Sequence, residues 1–148
     1  MPKDPNKILT LPEIRQRIYK YCAYQDRSIK EVKHKLRELG CPLFEVETIM
    51  QILVREKYLD EARFCKSFVR GKFFHKSWSV FKIKMALSAK GIQGAMADKT
   101  IREEIPESEL KKMKEKLIAK KSQLLAHLPE KERNLKIRQF LFRKGFSD

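Results

Sequence analysis

The stretch VKHKLRELGC, Val32 to Cys41, has two later counterparts: IKMALSAKGI, Ile83 to Ile92, and IRQFLFRKGF, Ile137 to Phe146. Each holds a glycine. Eight residues before it stands Val32, Ile83 or Ile137, and four before it stands Leu36, Leu87 or Leu141. Cys41, Ile92 or Phe146 follows directly, and seven residues before the glycine is a base each time, Lys33, Lys84 or Arg138. Apolar positions at i and i+4 share one face of a helix, and glycine suits the left-handed residue that ends one. Gly40, Gly91 and Gly145 are 51 and 54 residues apart. The pattern is a helical repeat that carries a basic position within it.

Outward from these anchors the chain reads as helix after helix. Five glycines and six prolines punctuate 148 residues, and no alternating strand pattern persists. The spacing predicts an all-α, elongated tandem array of three-helix units. Residues 1–10 form an N-terminal extension, 11–58 the first unit, 59–105 the second and 106–148 the third, which lacks its last helix. In the first unit, helices are expected over 11–25, 28–40 and 42–58. Pro12 marks a helix start, and Ser28 with Glu31 forms a capping box. In the second they are expected over roughly 61–76, 79–90 and 94–105. In the third they run over 108–127 and 131–145, with Pro129 between. Ser147 or Asp148 is placed to cap a further helix. Whether the chain is cut there or the unit naturally has two helices is left open by the sequence.

Charge is the second signal. The chain carries 34 Lys and Arg against 19 Asp and Glu, a net +15, which favours a polyanionic partner. The excess is uneven. Residues 62–97 hold eight bases and no acid, and residues 111–148 hold 12 bases and four acids. A solvated helix face usually mixes signs, because opposite charges at i and i+4 stabilise it. The acids Asp60 and Glu61 precede the first basic stretch. Asp60 stands at an N-cap and Glu61 in the first turn, where the helix dipole favours negative charge. Leu59 and Phe64 have the spacing of a hydrophobic staple. Phe64 and Phe68, with Cys65 beside them, and then Val80, Ile83 and Leu87 are expected to face the core. Phe73, Phe74, Trp78 and Phe81 cluster where one helix passes to the next.

Several classes find no support. MPKDPNKILTLPEI, Met1 to Ile14, lacks the apolar core of a secretory signal, and no run approaches the ~18 apolar residues of a membrane span. Cys22, Cys41 and Cys65 are odd in number and far apart, which fits a reducing, cytoplasmic setting. No paired metal-ligand spacing and no glycine-rich phosphate loop occurs, so neither a metal nor any other cofactor is expected. Asp98, Glu103, Glu104, Glu107 and Glu109 lie close in sequence, as a metal nuclease would need, yet read better as helix-end and linker charges. The chain is therefore not expected to be an enzyme. LKKMKEKLIAKK, Leu110 to Lys121, is a basic amphipathic helix of a kind that can lie on membranes. Leu110, Met113, Leu117 and Leu124 are instead expected to face the core, and no membrane partner is expected.

REKYLDEARFCKSFVRGK, Arg55 to Lys72, followed by KIKMALSAKGI and later IRQFLFRKGF, resembles the RecX family of regulatory proteins, which modulate the bacterial recombinase RecA. The likeness covers roughly residues 12–146, and the block from Tyr58 to Arg70 is its most specific part. The resemblance implies three tandem three-helix units in a long, curved molecule. It implies binding along the groove of a RecA-type recombinase filament on single-stranded DNA, with inhibition of filament growth, strand exchange, ATP hydrolysis and co-protease function. At one point the chain departs from the family, which often has an aromatic–glycine pair before the second unit's middle helix; here Trp78 is followed by Ser79.

A rigid basic scaffold, here expected to be a monomer, would be steered to such a filament and gain affinity from counterion release. The first candidates for contact with DNA or recombinase are Arg63, Arg70, Lys72, Lys76, Lys82 and Lys84. Lys33 and Arg138 follow as the repeat-equivalents of Lys84. Arg63 is the weakest of the first group, because Asp60 lies one turn back. Each candidate also reads as a solubilising surface charge. The alternative is an independent, sequence-nonspecific DNA-binding module. No Asn, Gln and Arg cluster at one helix start supports base reading.

Overall fold

The structure is a computed structural model and describes residues 8–146. Most of the expected 1–10 extension, and the capping role expected of Ser147 or Asp148, lie outside the described residues. Every regular element among them is helical: α1 Leu11–Tyr24, α2 Ile29–Glu38, α3 Leu43–Arg55, α4 Glu61–Arg70, α5 Val80–Ala89, α6 Gly94–Glu104, α7 Glu107–Leu124 and α8 Glu130–Arg143. A π-helical turn, Gly71–His75, continues α4. Helices α1–α3, α4–α6 and α7–α8 fall within residues 11–58, 59–105 and 106–148. The described residues divide into two compact units. One is built from residues up to Phe64 together with Lys90–Ile92, the other from Cys65–Ala89 and from Gln93 onward.

Local chemistry explains where the helices begin. Thr10 caps α1: its Oγ1 accepts from the Glu13 amide at 3.3 Å, and Glu13 Oε1 accepts from the Thr10 amide at 3.2 Å. Ser28 and Glu31 do the same at α2, at 3.1 and 3.3 Å. Asp60 Oδ1 accepts from the Arg63 amide at 3.0 Å at the start of α4. Each such cap is worth about 1 kcal/mol. Glu61 has a further role that its position in the first turn did not reveal. Its Oε1 accepts from the Ile29 amide at 3.1 Å, so it also satisfies a free donor at the start of α2.

The repeat glycines end their helices as their context requires. Gly40, Gly91 and Gly145 have φ of 82°, 79° and 88°. After α2, the Cys41 amide reaches back to the Leu36 carbonyl at 2.9 Å and the Gly40 amide to that of Arg37 at 3.0 Å. After α8, Phe146 bonds Leu141 at 2.8 Å and Gly145 bonds Phe142 at 2.9 Å. These paired bonds are the Schellman arrangement, which fastens the last turn of a helix to the residue after the glycine. Lys57, at φ 64°, ends α3 in the same way without a glycine, with Tyr58 bonded to Leu53 at 2.9 Å.

The apolar columns of the repeat are the core. Val32, Leu36, Ile83 and Leu87 are fully buried, and Ile137 and Leu141 nearly so. In the first unit Val32 and Leu36 meet Ile14, Ile18 and Cys22 of α1 and Ile49, Met50 and Leu53 of α3. Burying one such aliphatic side chain contributes about 1.5–3 kcal/mol. The staple pair Leu59 and Phe64 is buried, as is Cys65. Phe68 and Val80 are only half-buried, and the deeper positions are Val69 and Phe73. Leu124, expected in the core of α7, is 64% exposed, whereas Met113 and Leu117 are buried.

Two serines, Ser28 and Ser79, are the buried polar residues among those described. Ser79 stands at the departure from the family pattern, and its Oγ accepts from the Lys82 amide at 3.1 Å at the start of α5. Like Ser28, it lies 12 residues before a repeat glycine. Within the first compact unit, which includes Lys90–Ile92, a Cβ added to Gly91 would lie 3.5 Å from the Lys30 side chain, beside the Ser28 cap. Within the second, a Cβ on Gly145 would overlap Ser79 Oγ. In each unit a repeat glycine therefore rests on the N-terminal turn of a middle helix.

Gly40→Ala and Gly145→Ala separate the two demands made on these glycines. Nothing lies within 4 Å of a Cβ at Gly40, so its cost is the left-handed strain alone, about 1–2 kcal/mol. Gly145→Ala adds overlap with Ser79 and is expected to cost a further ~1–3 kcal/mol in urea denaturation; equal losses would refute the packing role. The three thiols are free and buried, and burial pushes Cys22 up to about 11, with Arg27 and Arg63 pulling weakly the other way. Thiol reagents should label all three only on unfolding. The unfolded Cys22 thiol titrates near ~8.5, below its folded value, so its contribution to stability is intact below that pH and is lost as pH rises through about 11. A Cys22→Ala variant, followed by denaturation at rising pH, should lose less stability over that interval than the parent.

Candidate nucleic-acid interface

The folded chain supplies acids that the basic stretch lacks in sequence. Of its eight bases, five meet carboxylates from elsewhere: Arg63 with Asp26 at 2.6 Å, Lys66 and Arg70 with Glu104 at 3.7 and 3.0 Å, Lys84 with Asp98 at 2.9 Å, and Lys90 with Glu31 at 3.6 Å. The contiguous run of positive charge is thus partly balanced in three dimensions, contrary to the impression left by the sequence.

These pairs are not equivalent. Arg63 does not pair with Asp60 as expected. Its Nε donates to Asp26, and its remaining nitrogens donate to the carbonyls of Lys57 and Tyr58 at 3.2 and 3.4 Å. The guanidinium clamps the turn after α3 to the segment between α1 and α2. Arg70 and Lys84 are exposed, and the pair of Lys84 with Asp98 is a surface pair worth about 0–1 kcal/mol. A phosphate could replace Asp98 at little cost.

The other three bases of the stretch, Lys72, Lys76 and Lys82, meet no carboxylate among the described residues. Lys72 and Lys82 instead place their ammonium groups 4.7 and 4.3 Å from the ring centre of Trp78. Lys72 also lies 5.4 Å from the Phe68 ring, and Phe68 meets Trp78 edge-on at 6.3 Å. The aromatic cluster therefore holds the two cations in place without neutralising them; each such contact is worth about 0.5–1 kcal/mol at an exposed site. Lys76 is exposed at the end of the π-helical turn. Among the aromatics left unassigned by sequence, Phe73 is buried, Trp78 half-buried and Phe81 65% exposed. Arg138 is exposed on α8, and Lys33 is half-buried in the first unit beside Glu47 and Arg55.

Sequence reasoning missed a second basic group. Lys120 and Lys121 of α7 and Lys144 after α8 line one cavity with Lys76 and His75. The pair at 120–121 was visible, but nothing local linked it to positions 76 and 144. No helix among the described residues is long and apolar enough to cross a membrane.

A family model described as "RecX, second three-helix domain" matches residues 60–101, which span α4 to α6. The chain is 32% identical over 126 residues to the regulatory protein RecX of Oceanobacillus iheyensis, covering 85% of this chain and 46% of that protein. It is 31% identical over 134 residues to the regulatory protein RecX of Limosilactobacillus reuteri, covering 88% and 49%. The crystal structure of RecX from Lactobacillus salivarius superposes with a TM-score of 0.79 at 26% identity, covering 93% of this chain and 91% of that one. The chain belongs to the RecX family. A second RecX crystal structure, at 27% identity and a TM-score of 0.75, covers 92% of this chain and 68% of its own. The chain spans about half the length of the curated RecX relatives it matches. The matched domain contains Arg70, Lys72, Lys76, Lys82 and Lys84, and the Trp78 cluster with them.

Glu104, only 14% exposed, restrains two of the domain's cations. Glu104→Gln should lower stability by about 1 kcal/mol while raising affinity for a single-stranded oligonucleotide. Urea denaturation and fluorescence anisotropy read the two effects. Unchanged affinity would mean that Lys66 and Arg70 do not reach the strand.

Proposed function

We propose that this chain binds a RecA-type recombinase filament on single-stranded DNA and restrains it, inhibiting its ATPase, strand-exchange and co-protease activities. Membership of a family of regulatory proteins supports the reading. The observation that carries it is the set of cations left without carboxylate partners among the described residues, Lys72, Lys76 and Lys82, two of them held by Trp78. A filament on DNA presents regularly spaced phosphates and acidic protein surface. Fixed cations would gain affinity there by releasing counterions, with no bond made or broken.

The three-unit organisation over 11–58, 59–105 and 106–148 is part of the proposal, as is action by a cytoplasmic monomer along the filament groove. Contact with neighbouring protomers would hinder the relative movement that ATP turnover and growth require. Lys72, Lys76 and Lys82 are the primary contacts. Arg70 and Lys84 join by exchanging a carboxylate for phosphate, and Lys33 and Arg138 extend the surface.

The test is recombinase ATPase on single-stranded DNA, titrated with this chain at two salt concentrations. Inhibition should weaken as salt rises. A Lys72→Glu, Lys82→Glu double variant should inhibit at least roughly tenfold less well, the loss of two phosphate contacts being felt steeply, while keeping its helical circular dichroism. A double variant that inhibits as well as the parent would remove this face from the reading. Binding naked and recombinase-coated DNA equally well would favour an independent DNA-binding module instead.

A further inference from the structure

The compact unit built from Cys65–Ala89 and from Gln93 onward contains a cavity of about 260 Å³ whose polar lining is cationic or neutral: Lys76, Lys120, Lys121 and Lys144, with His75 and Ser77. Leu117, Leu124 and Phe140 form its apolar part. Among the described residues no carboxylate lines it and none of its four lysines forms an ion pair. Lys121 and Lys144 place their ammonium groups 4.9 and 5.8 Å from the Phe140 ring centre, which positions both at one wall. The chain leaves the π-helical turn through Ser77, which also lines the cavity and is held at φ 56° although it is not a glycine. Its amide bonds the Phe73 carbonyl at 3.2 Å, and the next amide, of Trp78, bonds the Lys72 carbonyl at 2.9 Å. Non-glycine residues in this conformation and π-helical turns both concentrate at functional sites.

Lysines at helix C-termini also have a structural explanation, since the negative end of the helix dipole attracts them. Lys76, Lys121 and Lys144 stand at the ends of the π-helical turn, α7 and α8. Charge magnitude decides between the two readings. Three helix ends supply about −0.5 each, roughly −1.5 in all, against four ammonium groups. Among the described residues, the cavity lining keeps an excess of about two and a half positive charges.

We propose that this cavity binds the backbone phosphates of a single-stranded nucleic acid. Lysine suits the role as a mobile point charge with three donors, able to follow a flexible strand. The cavity is a second anchor besides the Trp78 face, and Lys76 belongs to both groups. The inference rests on the filament reading only for where the strand comes from; strand binding itself is measured without recombinase.

The probe is oligo-dT, titrated against the full chain by fluorescence anisotropy over a range of salt. Lys120→Ala with Lys121→Ala should weaken binding and reduce the slope of log affinity against log salt by about 1.4, because each phosphate contact on a single strand contributes about 0.7. Lys120→Arg with Lys121→Arg should keep the slope. Lys116→Ala with Lys131→Ala, which removes the same charge from exposed positions outside the cavity, should also keep it. Equal losses in the two alanine pairs would reduce the cavity to general surface charge and overturn the site. So would an unchanged Lys120/Lys121 variant, or a cavity that answers to inorganic phosphate in NMR titration while oligo-dT does not bind. Parent inhibition of recombinase ATPase, measured alongside, tells failure of this site from failure of the filament reading.

Discussion

The repeat in this molecule depends on ending the helices α2, α5 and α8 abruptly at a left-handed glycine. A left-handed residue after the last turn lets the following amide bond back to the carbonyl five residues earlier, as Cys41 does to Leu36 and Phe146 to Leu141. The bond ties the turn to an aliphatic position that is itself buried. Backbone closure and core packing therefore act on the same residue. A helix that stopped elsewhere would leave carbonyls unsatisfied and carry its apolar column off the core. The glycine accepts the conformation without strain, and at Gly145 the missing side chain also makes room for Ser79. One residue type thus ends a helix, closes a hydrogen-bond pattern and allows a close approach to a capped helix start.

Against this scaffold the charges divide into three kinds. Arg63 is a building element: it joins Asp26 to two backbone carbonyls, and its cation is spent on holding a turn. Lys66, Arg70, Lys84 and Lys90 are balanced by carboxylates from other helices, of which Asp98 is the exposed one that a stronger anion could displace. Lys72 and Lys82 rest on an aromatic ring, which positions a positive charge while leaving it positive. That last arrangement suits an electrostatic binding surface, because the cost of ordering the side chains is met before the partner arrives. A bare excess of lysine on solvated side chains would attract an anion without presenting it any fixed pattern.

Much of the fold was legible in particular residues. The Val32, Ile83 and Ile137 column and the Leu36, Leu87 and Leu141 column proved buried, and the Ser28–Glu31 and Asp60 caps formed as their spacing implied. Those signals are local: a cap needs three residues and an amphipathic face needs two turns. The candidate surface was legible only in outline. Counting charge along residues 62–97 located a basic region but could not see Asp26, Glu31, Asp98 or Glu104, which arrive from other helices. Position along α7 likewise misjudged Leu124, since helical spacing assigns a face but not how far the neighbouring helix extends to cover it.

By itself, then, the sequence determined where helices begin, where left-handed glycines end three of them, the apolar columns of the repeat that are buried, and the family to which the chain belongs. Hydrogen bonds within a turn and apolar periodicity are short-range, so they are written in consecutive residues. Tertiary structure alone decided which cations remain without carboxylates, that Glu61 serves two helices, that Ser79 lies under Gly145, and that Lys76 shares a cavity with Lys120, Lys121 and Lys144. These depend on Coulomb and contact distances between residues far apart in the chain, and only the packing of one helix against another sets those distances.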